Sequence, residues 1–139
     1  MGLILDSTVL ISGERRGLSP LEVLEEVSLG AGGSHFDFAI SAVSVAELAH
    51  GAMRAKSDSI RSYREEFLKE LIEVSPVIPI AVDIALRAGH IGGLLGARGI
   101  QIGMADLLIG APALNMDYSI ATANIRHFSE MPGLRVQVM

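Results

Sequence analysis

Short apolar segments alternate with longer helical segments along this chain, and that alternation restricts the fold more than any other feature. Five segments of four or five residues, some apolar and some alternating between apolar and polar side chains, are typical of β-strands. They lie at residues 2–6, 36–40, 77–80, 118–122 and 134–138. Strands that alternate with helices through short connections pair in parallel. The sequence therefore predicts an α/β fold, with a mainly parallel, twisted sheet of about four or five strands and helices on both faces.

Two helix starts have the spacing of a capping box. Ser19 and Glu22 enclose Pro20, which is suited to the first position of a helix. Ser44 and Glu47 repeat the same serine-to-glutamate spacing, so a further helix is predicted to begin at Ser44 with Glu47 in its first turn.

The clearest amphipathic helix is predicted over residues 58–73. Its buried face is predicted to comprise Ile60, Tyr63, Phe67 and Leu71. A second helix, predicted over residues 83–96, has four interior glycines, and each costs about 1 kcal/mol relative to alanine. That helix is therefore expected to depend on close packing against a neighbour.

Composition limits the classes of function. The 139 residues suffice for a single domain, residues 1–139, and with 50% apolar and 19% charged residues the chain cannot be globally disordered. No apolar run is long enough to span a membrane. Cysteine is absent, which excludes disulfides and zinc–thiolate sites and makes the cytoplasm the expected location. The net charge of −5 and the 4% aromatic content argue against a nucleic-acid coat protein, but not against an enzyme with a local basic patch.

Acidic and amide side chains follow the predicted strands. Asp6 ends the first strand, Glu47 lies early in the helix after the second, Asp106 lies early in the helix near residue 104, and Asn124 follows the fourth strand. Ligands bind at the carboxyl ends of parallel strands. Oxygen donors without cysteine or paired histidines favour Mg²⁺ or Mn²⁺, and such an ion supports hydrolysis of phosphodiesters.

Each of these residues also has a purely structural interpretation. Asp6 can cap the helix that follows it, Glu47 can belong to a capping box, and asparagine at position 124 is common in turns. Asp106 is the most informative of the four, because it interrupts an apolar helix where an unpaired acid would be costly.

Four segments resemble the PIN-domain ribonucleases, particularly the VapC-type toxins of bacterial toxin–antitoxin pairs. They are residues 3–11 (LILDSTVLI), 41–51 (SAVSVAELAHG), 102–111 (IGMADLLIGA) and 120–128 (IATANIRHF), the last followed by MPGL at 131–134. The resemblance covers nearly the whole chain in the family's order, which makes it far more specific than a single short motif.

This resemblance implies a single PIN-like domain that is a Mg²⁺- or Mn²⁺-dependent endoribonuclease, often dimeric and silenced by a cognate antitoxin protein. Asp6, Glu47 and Asp106 match the family's acidic positions. Asn124 departs from the aspartate that is frequent in the wider fold, which leaves the second metal in question. Pro112 also departs, because it is expected to kink or shorten the helix that carries Asp106.

Recognition of RNA is expected to depend on phosphate contacts from cationic side chains near the acids. The candidates are Arg15, Arg16, Arg54, Lys56, Arg126 and His127. The mean hydropathy of +0.44 is high for a small domain and indicates that a partner covers apolar surface. A basic side chain of that partner is expected to reach the acids and exclude the metal.

Two other functions remain open on the sequence alone. A phosphatase of the HAD type also places an aspartate at the end of its first strand, but Thr8 stands where its second acid is needed. A non-catalytic module that binds RNA or protein on the same fold is the other alternative, favoured slightly by Asn124 and the acidic net charge.

Overall fold

The computed structural model describes residues 1–33 and 35–139. Its elements follow the predicted alternation. In chain order they are β1 (Gly2–Leu5), α1 (Ser7–Arg15), α2 (Pro20–Gly30), β2 (Asp37–Ser41), α3 (Ala42–Met53), α4 (Asp58–Val74), β3 (Val77–Ile78), α5 (Val82–Ala97), α6 (Met104–Met116), β4 (Ser119–Thr122), α7 (Ile125–Phe128) and β5 (Val136–Val138).

The five strands form one sheet in the order β3-β2-β1-β4-β5, and every adjacent pair is parallel. Strand β1 lies at the centre, where Ile4 pairs with Ala39 of β2 and Ile120 of β4. The predicted parallel α/β sheet is therefore confirmed. Strand β3 lies at an edge, as expected for a short strand that precedes Pro79.

Side chains of the central strands alternate between two apolar clusters on opposite faces of the sheet. Leu3 and Leu5 join the cluster built by α1 to α4, whereas Ile4 joins the cluster built by α5, α6 and α7. Because β1 is buried on both faces, it is apolar throughout. Helices therefore cover both faces of the sheet, and the polar residues after each strand are left at its carboxyl edge.

The two predicted capping boxes have different outcomes. At α2 the Ser19 side chain accepts a hydrogen bond from the Glu22 backbone N–H, and Glu22 accepts one in return, so this box is confirmed. The predicted start at Ser44 is wrong, because α3 begins at Ala42, directly after Ser41, and Ser41 is its N-cap. Ser44 is buried within α3 and Glu47 lies beyond the first turn.

The helix faces differ from the predicted pattern in two places. Phe67 and Leu71 of α4 are buried as predicted, but Ile60 and Tyr63 are exposed. Pro112 lies inside α6 without shortening it: the helix runs from Met104 to Met116. Within the described residues, no helix has both the length and the apolar character needed to cross a bilayer.

Candidate active site

Asp6 is a buried carboxylate at the carboxyl end of the central strand. Its backbone N–H donates to the Ala121 carbonyl of β4 at 2.9 Å, and its side chain is 3% exposed. The residue occupies the N-cap position of α1, yet its side chain forms no capping hydrogen bond with the backbone of that helix. The interpretation of Asp6 as a simple helix cap therefore has no support in the structure.

Two threonine hydroxyls bind the Asp6 carboxylate instead. Thr8 and Thr122 both donate to Oδ2, at 2.7 and 2.8 Å. The same hydroxyl oxygens accept from the backbone after β4: Thr8 from the Ala123 N–H at 3.2 Å and Thr122 from the Asn124 N–H at 2.9 Å. This network fixes the orientation of Asp6 and joins it to the segment that carries Asn124.

Asn124 is half-buried and precedes α7 at its N-cap position. Its side chain makes no capping bond, and within residues 1–33 and 35–139 it forms no hydrogen bond. The carboxamide is therefore available to a ligand beside Asp6.

Glu47 reaches the same edge of the sheet from α3. Its Oε1 accepts a hydrogen bond from the Ser7 hydroxyl at 2.6 Å, and the Ser7 and Ser44 hydroxyls lie 3.0 Å apart. Ser7 follows Asp6 directly in the chain. The serine pair thus joins the glutamate of α3 to the start of α1, and it accounts for the buried Ser44 that the capping prediction placed at a helix end.

Asp106 lies in the first turn of α6, where the predicted position is confirmed. Its Oδ2 lies 2.8 Å from Nδ1 of His127, and the side chains are 25% and 40% exposed. From the sequence, His127 was predicted only as a contact for RNA. Helix α7, which holds it, was not predicted, and no spacing rule links residues 21 positions apart.

The oxygens of the three carboxylates decide whether a divalent cation fits among them. Asp6, Glu47 and Asp106 each use one oxygen for the hydrogen bonds above, and within the described part of the chain no hydrogen bond reaches the other oxygen. The described residues provide no cationic ion-pair partner for Asp6, and a bound cation would offset the cost of burying its charge. In donor chemistry the three acids therefore fit Mg²⁺ or Mn²⁺. Among the described residues, however, no three acidic or histidine side chains form a group compact enough to hold an ion.

The predicted RNA-contact residues differ in their surroundings. Arg15, Arg54, Lys56 and Arg126 are exposed and form no ion pair among the residues described. Arg15 and Glu47 line the same small recess beside α3.

Arg16, by contrast, has a partner. It donates two hydrogen bonds to Glu26, at 3.0 and 2.9 Å. This hydrogen-bonded pairing holds the pKa of Glu26 below its ordinary value and the pKa of Arg16 above its ordinary value. His127 is likewise engaged, by Asp106. Arg16 is thus less available to a phosphate than the four free cations.

The ion pair between Arg64 and the buried Glu14 was not predicted. Glu14 of α1 contacts Arg64 of α4, with 3.1 Å between Nε and Oε1, and Arg64 also donates to the Gly51 carbonyl of α3 at 2.9 Å. The predicted buried face of this helix did not include Arg64, because helical periodicity does not show which neighbours cover the remaining faces.

Known proteins share this fold and sequence pattern. A family model of the PIN domain matches residues 3–134. The chain is 29% identical over 136 residues to the ribonuclease VapC of Rickettsia bellii. The aligned region covers 98% of this chain and 95% of the relative. It is 30% identical over 97 residues to the ribonuclease VapC2 of Rickettsia felis, covering 69% of each protein.

A crystal structure of VapBC2 from Rickettsia felis, bound to a DNA fragment from its promoter, has a TM-score of 0.82 to this structure. The match covers 100% of this chain and 99% of the other at 21% identity, and it shows a shared fold. The architecture and the matched region together define a PIN domain. The chain belongs to the PIN domain family and, within it, to the VapC proteins.

Proposed function

We propose that this chain is a metal-dependent endoribonuclease of the VapC type and the toxin of a toxin–antitoxin pair, with residues 1–139 acting as one domain. The observation that carries the proposal is the set of three carboxylates, Asp6, Glu47 and Asp106, each hydrogen-bonded through one oxygen and, among the described residues, without a hydrogen bond to the other. The relatives named ribonuclease VapC support hydrolysis of RNA as the reaction.

Asp6, Glu47 and Asp106 are the residues proposed to hold Mg²⁺ or Mn²⁺. When bound, such an ion lowers the pKa of water and offsets negative charge on the phosphodiester. Thr8 and Thr122 keep Asp6 in one orientation through its Oδ2. Preorganised ligands of this kind do not have to be ordered during the reaction.

Asn124 is proposed as a neutral ligand or as a group that positions water. Three carboxylates give the site a formal charge of −3, which one divalent ion reduces to −1. Because Asn124 adds no charge, a second ion would depend on the RNA phosphate. We therefore propose that the protein without RNA holds one metal ion.

RNA is proposed to bind through its phosphates along the rim of the site. Arg15, Arg54, Lys56 and Arg126 supply free cations there, while Arg16 and His127 contribute less because both are engaged within the chain. Such contacts predict that affinity falls with salt, with a slope of roughly 0.7 per phosphate for single strands.

A cognate antitoxin is the proposed protein partner, since VapBC complexes are the assemblies in the matched structures. Exposed leucines support a covering partner: Leu86 and Leu94 line an apolar groove of about 560 Å³ on α5. We further propose that the protein forms a homodimer and acts in the cytoplasm, in keeping with its lack of cysteine.

Cleavage of a fluorescent single-stranded RNA tests the function. We expect cleavage with Mg²⁺ or Mn²⁺, none with EDTA, and recovery when metal is restored. Asp6→Asn and Asp106→Asn should each abolish cleavage while thermal unfolding stays cooperative, whereas Glu65→Gln, on the exposed face of α4, should cleave like the wild type.

Two results would reject the proposal. Cleavage that persists in EDTA would remove the metal from the reaction. A pure wild-type protein that binds RNA and never cuts it would instead favour the non-catalytic module, the remaining alternative for this fold.

A further inference from the structure

Asp106, like Asp6 and Glu47, forms a hydrogen bond with a neighbouring side chain. Each of the three acids accepts a hydrogen bond from a side chain of another residue. Thr8 and Thr122 hold Asp6, and Ser7 holds Glu47. His127 occupies the corresponding place beside Asp106, with Nδ1 2.8 Å from Oδ2.

We infer that His127 is a positioning residue that fixes Asp106 for metal binding, rather than a residue whose main role is to contact RNA. The inference rests on the proposed function. A carboxylate only accepts hydrogen bonds, so the proton of this contact is on Nδ1 of the imidazole. Donation to Oδ2 restricts rotation of the carboxylate and leaves Oδ1 without a hydrogen bond among the described residues.

The bond is not needed to hold α7 in place. Phe128, the next residue, is fully buried in the cluster formed with α5 and α6, and Met131 beyond it is buried as well. The backbone is also tied locally, since the Ser129 N–H donates to the Ile125 carbonyl at 3.0 Å. Helix α7 is thus anchored by apolar packing, and the exposed His127 side chain is free to act on Asp106.

The surroundings make this bond important for Asp106. The aspartate lies at the start of α6 and is only 25% exposed, so water can replace the imidazole only in part. Groups that hydrogen-bond metal ligands keep those ligands in the binding geometry, and their loss costs about 10- to 100-fold in metal affinity. We expect a loss of metal affinity in that range when His127 is replaced by alanine.

The test compares two substitutions at this position. His127→Asn keeps an N–H donor close to the place of Nδ1, whereas His127→Ala removes the donor. His90→Ala, an exposed histidine of α5 with no hydrogen bond among the described residues, is the matched control. The readouts are Mn²⁺ affinity by calorimetry without RNA, thermal unfolding, and kcat and KM for RNA cleavage.

We expect His127→Ala to weaken Mn²⁺ binding about 10- to 100-fold and to lower kcat with little change in KM. His127→Asn should recover most of the affinity, and His90→Ala should match the wild type. All three should unfold cooperatively near the wild-type temperature, since α7 is held by Phe128.

Several results would overturn the inference. One is a His127→Ala protein that binds Mn²⁺ like the wild type, and another is a His127→Asn protein as weak as His127→Ala. A rise in KM with unchanged Mn²⁺ affinity would show that the imidazole contacts RNA instead. If the wild type itself neither binds Mn²⁺ nor cleaves RNA, the proposed function fails and this inference fails with it; if the wild type does both, these results concern His127 alone.

Discussion

Arg64 joins three helices, and its replacement by methionine tests how strongly the fold depends on one ion pair. Its Nε lies 3.1 Å from Oε1 of Glu14 in α1, and it also donates to the Gly51 carbonyl at the end of α3. The Tyr63 hydroxyl donates to the Glu14 carbonyl at 3.3 Å, which adds a second link between α4 and α1. Glu14 is 7% exposed, so its carboxylate has little access to water.

Methionine at position 64 keeps the apolar part of the side chain and removes the charge. Glu14 is then left buried without its partner, and breaking a buried pair in this way costs about 3–5 kcal/mol. Because Arg64 is 24% exposed, water offsets part of that cost, and we expect a loss of about 2–4 kcal/mol in the free energy of unfolding. For a domain of this size, that loss corresponds to a fall of roughly 6–16 °C in Tm.

Urea unfolding followed by circular dichroism measures the loss. The double variant Glu14→Gln with Arg64→Met removes the unpaired charge and should recover at least half of it. Lys69→Met changes an exposed lysine on the same helix, and it should stay within about 0.5 kcal/mol of the wild type. An Arg64→Met protein as stable as Lys69→Met, or a double variant no better than the single one, would refute this account of the pair.

Two further predictions concern stability. The hydrogen bond from Arg16 lowers the pKa of Glu26. The small stabilisation from this pair is therefore present above the ordinary glutamate pKa, and it is lost as the pH falls through the lowered pKa of Glu26. Thermal melts of wild type and Glu26→Gln should differ at pH 7 and converge in acid. Gly92→Ala should cost about 1–3 kcal/mol, because its Cβ would lie 2.7 Å from the Leu107 side chain, whereas Gly93→Ala, with open space around it, should stabilise α5 by up to about 1 kcal/mol in urea melts. Equal effects at both glycines would contradict the packing argument.

The sequence predicted the sheet well, because a strand buried on both faces must be apolar over its whole length. Residues 2–6 and 118–122 match β1 and β4 to within one residue at each end. The predicted start of α3 failed for a local reason. Ser41 and Ser44 both suit an N-cap, and only the end of β2 decides between them.

The position of Asp6 at the carboxyl end of β1 could be inferred from the alternation of strands and helices. The hypothesis that Glu47 and Asp106 lie near it rests on the same topology, because parallel strands bring their carboxyl ends together. The groups that hold these acids could not be inferred in the same way. Thr122 reaches Asp6 across 116 residues, and His127 reaches Asp106 from a helix of four residues. Such contacts depend on the packed positions of whole elements, which local patterns do not encode.

The position of a bound metal ion tests the central claim most directly. Crystals of the wild-type protein soaked in MnCl₂ can be measured at a wavelength where manganese scatters anomalously. We expect one strong anomalous peak, bound by carboxylate oxygens of Asp6, Glu47 and Asp106, and its absence from crystals of Asp6→Asn. A peak on other acids, such as those along the exposed face of α4, or a peak unaffected by Asp6→Asn, would contradict the proposed site.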